Sequence, residues 1–275
     1  MSTTVLLIVL LAALLHALWN ALVKTSADRA ITLGLVAAGH CLPALALMPF
    51  VPMPAIEAFP FIIASTVIHW AYYYFLNVSY RFGDLSLIYP IARGTAPVMV
   101  ALGAMVWADE SLSLWAWIGI LTVSAGIMVL AAIRHADKRG IGAALATSAI
   151  IAAYSVVDGI GIRVSGTPIG YVVWLFAAEI FVAVFVIASR FDRARNISQR
   201  ALVLGLSGGV ISGLAYGLAL FAKTLAPIGI VSAVRETSVI FAALIGVYWL
   251  GEGPAKRRLV AASIVAIGVI ILALF

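Results

Sequence analysis

The sequence predicts an all-α integral membrane protein of ten transmembrane helices in two inverted five-helix repeats, with both termini outside. Composition, an internal register and the placement of basic residues carry that expectation. Of the 275 residues, 64% are hydrophobic and 10% are charged, and mean hydropathy is +1.16. A soluble domain is about half apolar and about 25% charged, so most of this chain has lipid as its solvent. A spanning helix takes roughly 20 apolar residues. Ten such runs fit, at 3–24, 31–50, 59–80, 85–107, 112–133, 141–163, 168–189, 201–223, 228–250 and 257–275. They are too long and too continuously apolar for barrel strands. The links between them are short and rich in breakers and charges, as in Pro52-Met-Pro54 and Gly251-Glu-Gly-Pro254.

The register centres on two arginines inside apolar runs, Arg93 in Ile88-Tyr-Pro-Ile-Ala-Arg-Gly94 and Arg235 in Ile230-Val-Ser-Ala-Val-Arg-Glu236. They lie 142 positions apart, and the same offset pairs Trp107 with Trp249, Glu110 with Glu252, Val123 with Val265 and Gly126 with Gly268. It also reaches back to Ser65/Ser207 and Tyr74/Tyr216. One register held over that distance marks an internal repeat, with residues 1–136 as the first five-helix repeat and 137–275 as the second.

Thirteen of the 17 Lys and Arg residues fall in the odd-numbered links, and the even-numbered links hold only Arg163 and Lys223. The positive-inside rule then puts the odd links in the cytoplasm and both termini outside. Five helices per half is an odd number, so the second half enters the membrane upside down. Inverted repeats place a substrate site near the midplane between them. The first apolar run lacks a basic leader and reads as a retained helix, not a cleaved signal.

Several function classes are excluded. The net charge of +6 comes without a basic run interleaved with aromatics, so no nucleic-acid partner is expected. The lone Cys41 has no internal disulfide partner. No His-Glu-x-x-His, Cys-x-x-Cys or phosphate-binding loop occurs, so neither a metal, a cofactor nor ATP drive by this chain is expected. No nucleophile–base constellation can be assembled from spacing, so the chain does not read as an enzyme.

Gly83-Asp-Leu-Ser-Leu-Ile-Tyr-Pro-Ile-Ala-Arg93, followed by Trp107-Ala-Asp-Glu110, resembles the drug/metabolite transporter superfamily, specifically its EamA-type bacterial members. Ala226-Pro-Ile-Gly-Ile-Val, Trp249-Leu-Gly-Glu252 and the opening His16-Ala-Leu-Trp-Asn-Ala-Leu-Val-Lys24 extend the resemblance over essentially the whole chain. The resemblance implies a ten-helix carrier with a central cavity in the bacterial inner membrane, exporting amino acids, drugs or other metabolites. The second half departs by carrying Arg235-Glu236 where the first has Arg93-Gly94.

Ionisable groups inside spans usually face a cavity or a partner. Arg93 and Arg235 stay charged, so each needs a counter-charge, water or substrate. One role is forked binding of an anionic group; the other is a structural pair with Glu236 or Glu179. Glu236 diverges from Arg235 by about 100° around the helix, so its partner is expected on another helix. Glu179 in the seventh run and Asp158 in the sixth are candidates for proton coupling. His16, His40 and His69 read as polar contacts within the bundle, with His16 sharing a face with Asn20. Trp19, His69, Tyr73 and Tyr89 complete the expected substrate-binding set, since the run His69-Trp-Ala-Tyr-Tyr-Tyr-Phe75 should turn one or two rings to the cavity. Asp109-Glu110-Ser111 precedes the fifth run and suits its positive helix end. Pro90 and Pro97 are expected to interrupt the fourth run. Gly205, Gly209, Gly213 and Gly217 form a small-residue face for close packing in the eighth.

The expected function is secondary-active export of amino acids or similar small zwitterionic or anionic metabolites, by alternating access. The substrate and the bilayer are the expected partners, with a possible coupling proton. Export of cationic drugs is the alternative within transport, and a membrane receptor or assembly subunit is the alternative outside it.

Overall fold

The computed structural model describes residues 1–24, 28–82, 85–131, 138–249 and 255–274. Every regular element among them is helical. In chain order these are α1 (Thr3–Lys24), α2 (Arg29–Leu47), α3 (Phe59–Phe82), α4 (Leu85–Trp107), α5 (Leu114–Met128), α6 (Lys138–Val164) and α7 (Pro168–Ala178). Then come α8 (Ile180–Ala188), α9 (Phe191–Ala194), α10 (Gln199–Lys223), α11 (Ile228–Arg235), α12 (Ser238–Leu244) and α13 (Ala255–Leu274). Eight stretches among the described residues are long and apolar enough to cross a membrane, and Ile56–Tyr72 and Leu114–Met128 are shorter apolar helices. The chain is a multi-pass membrane protein.

Capping side chains set several boundaries. Ser113 Oγ accepts from Ala116 N at the start of α5, Thr167 from Gly170 N at α7 and Ser198 from Ala201 N at α10. These bonds satisfy donors that the first turn of a helix leaves free. The acids before α5 do a different job from the one expected. Asp109 takes φ 51°, in the left-handed region, and Glu110 N reaches back to Ala104 O. That turn ends α4 and sends Glu110 away from α5 to the start of α11, where it accepts from Ile228 N at 2.8 Å.

Two expected runs are broken. The seventh divides at Glu179 into α7 and α8, and the ninth divides at Glu236-Thr237 into α11 and α12. At each break the bonding tightens to a three-residue step, with Glu179 N on Phe176 O and Thr237 N on Val234 O. The Thr237 hydroxyl also takes Val234 O, competing with the helical ladder. By contrast, α4 continues through Pro90 and Pro97, against the expected interruption. Neighbouring helices make proline tolerable in a buried span.

Small residues let the helices approach closely. A Cβ on Gly209 would lie 2.4 Å from Val36 O, and one on Gly39 would lie 2.4 Å from Leu206 O, so α2 and α10 meet backbone to backbone. Gly205 packs on Leu35, Gly213 on His40 and Gly217 on Val172, which bears out the small-residue face read in the sequence. The α5–α13 contact is reciprocal: Gly126 seats Val265 and Gly268 seats Val123, each with 2.8 Å for an added Cβ.

Interhelical contacts sort the two ends of the bundle. At the end where the basic links cluster, Arg193 pairs with Asp28 at 3.3 Å, and Arg257 Nε donates to Val129 O at 2.6 Å. At the opposite end, Arg163 donates to Glu110 at 2.7 Å, to Lys223 O at 2.8 Å and to Ala226 O at 3.0 Å. Ala55 N bonds Ser165 O there at 2.9 Å.

Candidate functional site: two buried arginines and an aromatic wall

The two helices that carry the arginines touch. Gly229 of α11 lies against Ala101 of α4, where an added Cβ would fall 3.0 Å from Ala101. This approach brings Arg93 Nη2 to 3.0 Å from Glu236 Oε1. Arg93 is 6% exposed and Glu236 3%, so the charges meet away from water. The Glu236 partner therefore sits on another helix, as its position beside Arg235 required.

The pair is close but not saturated. Arg93 Nε and Nη2 and Glu236 Oε2 are buried without an aligned hydrogen-bond partner among the described residues. The 3.0 Å contact is thus a Coulombic pairing whose donors and acceptor keep capacity for a further polar group.

Arg235 differs. It is 7% exposed, and no carboxylate among the described residues lies within the 4.0 Å ion-pair distance. Its Nε has no hydrogen-bond partner there either. Its guanidinium carbon lies 5.6 Å from the centre of the Tyr216 ring, a cation–π contact. The asymmetry follows from sequence: the position that holds Glu236 in the second half holds Gly94 in the first. The Gly94 site is occupied by Met128, whose Cγ would be 3.0 Å from an added Cβ.

Tyr216 of α10 links Arg235 to an aromatic wall. His69 of α3 stacks on Tyr154 of α6 at 4.4 Å, and Tyr154 lies edge-on to Tyr216 and to Tyr72, each at 6.1 Å. Below Tyr216, its hydroxyl donates to Asp158 Oδ2 at 2.5 Å and Tyr171 donates to Oδ1 at 3.0 Å. Asp158 is fully buried. Its hydrogen-bond partners among the described residues are these two phenols, and no arginine there lies within ion-pair distance of it.

No arginine among the described residues lies within ion-pair distance of Glu179 either. Its Oε2 lies 2.6 Å from His40 Nδ1 on α2, and the His40 ring stacks on Phe176 at 5.0 Å. His40 Nε2 is buried without a hydrogen-bond partner among the described residues. Phe176 lies 6.3 Å from Tyr216, so this pair backs onto the same wall.

Comparison with known proteins now bears on this geometry. The EamA-like transporter family matches residues 138–274, the half that holds Asp158, Glu179, Tyr216, Arg235 and Glu236. The chain belongs to the EamA-like transporter family. A solved structure described only as "Crystal structure of protein" is similar at TM-score 0.75 and 16% identity, over 98% of this chain and 96% of that one. That likeness is one of fold. No curated protein matches the chain.

In this EamA-like transporter the expected site residues divide into three groups. Arg93, Arg235, Glu236 and Tyr89 converge, and Tyr89, 37% exposed, stands within electrostatic reach of all three charges. His69 joins them through Tyr154 and Tyr216. On α1, His16 lies within electrostatic reach of both arginines. Its ring Nδ1 accepts from Trp19 Nε1 at 3.3 Å, while Asn20 bonds the His16 carbonyl at 2.7 Å. The expected His16–Asn20 contact is therefore made to backbone, and Trp19 is the ring's side-chain partner. Glu179 and Asp158 lie behind the wall in separate polar contacts. The Tyr73 side chain lies outside the described residues. Tyr154, Tyr216 and His40 were missed as site residues. The 142-residue offset that pairs Tyr216 with Tyr74 in the aromatic run of α3 points to one of them.

Proposed function

We propose that the chain is a secondary-active carrier that exports amino acids or similar small zwitterionic or anionic metabolites. It alternates access through a cavity between two inverted five-helix halves in the bacterial inner membrane. One observation carries the substrate reading: Arg93 has Glu236 at 3.0 Å while Arg235 has no such acid. Those three groups together therefore carry one net positive charge. A buried, unpaired guanidinium is costly, and a substrate carboxylate on its fork relieves that cost. The rings of Tyr216, Tyr154, Tyr72 and His69 flank that position with apolar faces. The reciprocal Gly126–Val265 and Gly268–Val123 contacts support the two-half reading, because equivalent positions of two repeats exchange partners across a twofold axis.

Coupling fits the Glu179–His40 pair. Its carboxylate and imidazole meet at 2.6 Å on facing helices, so a proton carried by Glu179 would be linked to the packing of α2 against α8.

The test is counterflow of a radiolabelled amino-acid pool into proteoliposomes preloaded with the unlabelled pool. Wild type accumulates label and Arg235→Ala does not. Glu179→Gln keeps counterflow and loses accumulation driven by a pH gradient alone. No counterflow by folded wild type would sink the amino-acid assignment. The second reading, cationic-drug export, draws on Glu179 as a membrane acid without an arginine at ion-pair distance. It predicts that lipophilic cations, not amino acids, are the counterflow substrates.

A further inference from the structure

Two clefts open away from the arginine centre, on the flank formed by α3 and α8. The deeper, of about 330 Å³, is lined by Thr66, Val67 and Trp70 of α3 and by Phe181 of α8. Thr66 turns its hydroxyl back onto Ile62 O at 2.8 Å, so the wall it presents is apolar. The shallower, of about 620 Å³, lies where α8 ends, among Phe185, Ala188, Ser189, Arg190, Phe191, Asp192 and Arg193, so one acid stands with the two arginines in its lining. We propose that these clefts are the two ends of one binding site for an anionic phospholipid. Its phosphate would lie at Arg190 and Arg193, and an acyl chain would run along α8 into the deeper cleft.

Continuity is the first support. Trp70 lines the deep cleft and Phe185 the shallow one, and their rings lie 6.0 Å apart. On this flank Phe181 is 65% exposed and Phe185 60%. Length is the second. From Phe181 to Arg190 is nine residues, about 14 Å of helix axis. One leaflet contributes about half of a roughly 30 Å hydrocarbon core. A chain anchored at Arg190 therefore reaches Phe181 near the midplane.

Charge is the third support. The segment from Arg190 to Arg200 carries Arg190, Arg193, Arg195 and Arg200 against the single acid Asp192. Arg193 and Arg195 make only exposed pairs, at 3.3 Å with Asp28 and 3.7 Å with Asp192, and such pairs hold weakly. Arg190 donates to the neutral Ser189 hydroxyl at 2.9 Å, and no carboxylate among the described residues lies within the 4.0 Å ion-pair distance. A phosphate matches these forks, and basic clusters at a span's end favour anionic headgroups. Exposed Phe191, at 63%, sits between the arginines in sequence, where an interfacial ring meets the upper acyl region. A soluble phosphate would use the arginines and leave the Phe181–Trp70 groove empty, so the lipid accounts for both clefts.

The test uses the full-length protein in detergent, with phosphatidylglycerol and phosphatidylcholine of identical acyl chains, read by native mass spectrometry. Wild type should retain phosphatidylglycerol preferentially. Arg190→Ala and Arg193→Ala should each lower that retention about fivefold, with helicity and unfolding midpoint unchanged because both side chains sit at the surface. Phosphatidylglycerol bearing a diazirine midway along one chain should label Thr66, Val67, Trp70 or Phe181 in wild type. Equal retention of the two lipids, retention unaffected by the arginine variants, or labelling elsewhere would overturn the proposal. Displacement of the lipid by millimolar glycerol phosphate would overturn it too, in favour of a soluble-anion site. None of these outcomes depends on what the carrier transports.

Discussion

Arg93 and Arg235 occupy the same register position in the two halves, yet they live in different electrostatic worlds. Arg93 meets Glu236 across the α4–α11 contact at 3.0 Å. Arg235 meets the face of Tyr216 at 5.6 Å. Both are more than nine-tenths buried, so burial does not separate them. One substitution does, since the acid beside Arg235 has Gly94 as its counterpart. The contrast teaches that one counter-ion separates two equally buried cations: Arg93 has a carboxylate at ion-pair distance, and Arg235, among the described residues, has an aromatic face instead.

The strongest way to break this comparison is Arg93→Ala. It strands a buried Glu236, and losing one partner of a buried pair costs about 3–5 kcal/mol. The unfolding midpoint in detergent should fall sharply. The double variant Arg93→Met/Glu236→Leu should recover most of that loss, because replacing both charges removes the stranded one. Arg235→Ala should do the reverse, holding the midpoint near wild type while the apparent affinity in counterflow drops on the order of 10–100-fold, as expected for a charged hydrogen bond worth about 1.5–3 kcal/mol. A large loss of stability with Arg235→Ala would make the two arginines equivalent after all. Arg235→Lys keeps charge without the fork and should fall between wild type and alanine in the same assay. The smallest effect belongs to Tyr216→Phe. The ring stays over Arg235, but Asp158 loses one of its two phenolic donors, a change of about 1–3 kcal/mol in stability with little change in affinity.

Much of this was legible in the sequence. Helix positions followed from apolar length, and the Arg93–Glu236 pairing was among the options that the 100° helical divergence left open. Membership of the transporter family was readable from the stretch around Arg93 and its partner motifs. The breaks at Glu179 and Glu236-Thr237 were not, because neither site carries proline or glycine. The first coincides with a tertiary contact, a carboxylate drawn to His40, and the second with a local one, a threonine hydroxyl that takes a ladder carbonyl three residues back. The role of Glu110 was misread for a related reason. Its sequence neighbour is α5, but the left-handed turn at Asp109 re-aims it onto α11 and Arg163. The aromatic wall was half-visible, since one turn of α3 announced rings, while Tyr154 and Tyr216 gave no local sign of converging on it.

The seam between α5 and α13 carries a mechanical consequence. Val123 and Val265 each rest on a glycine of the opposite helix, with the neighbouring backbone nitrogen as close as the side chain. A side chain at either glycine would meet main chain as well as the valine. The seam therefore behaves as a keyed joint, not a sliding surface. Adding a methyl group at Gly126 or Gly268 would force α5 and α13 apart at this joint before any other contact in the bundle had changed.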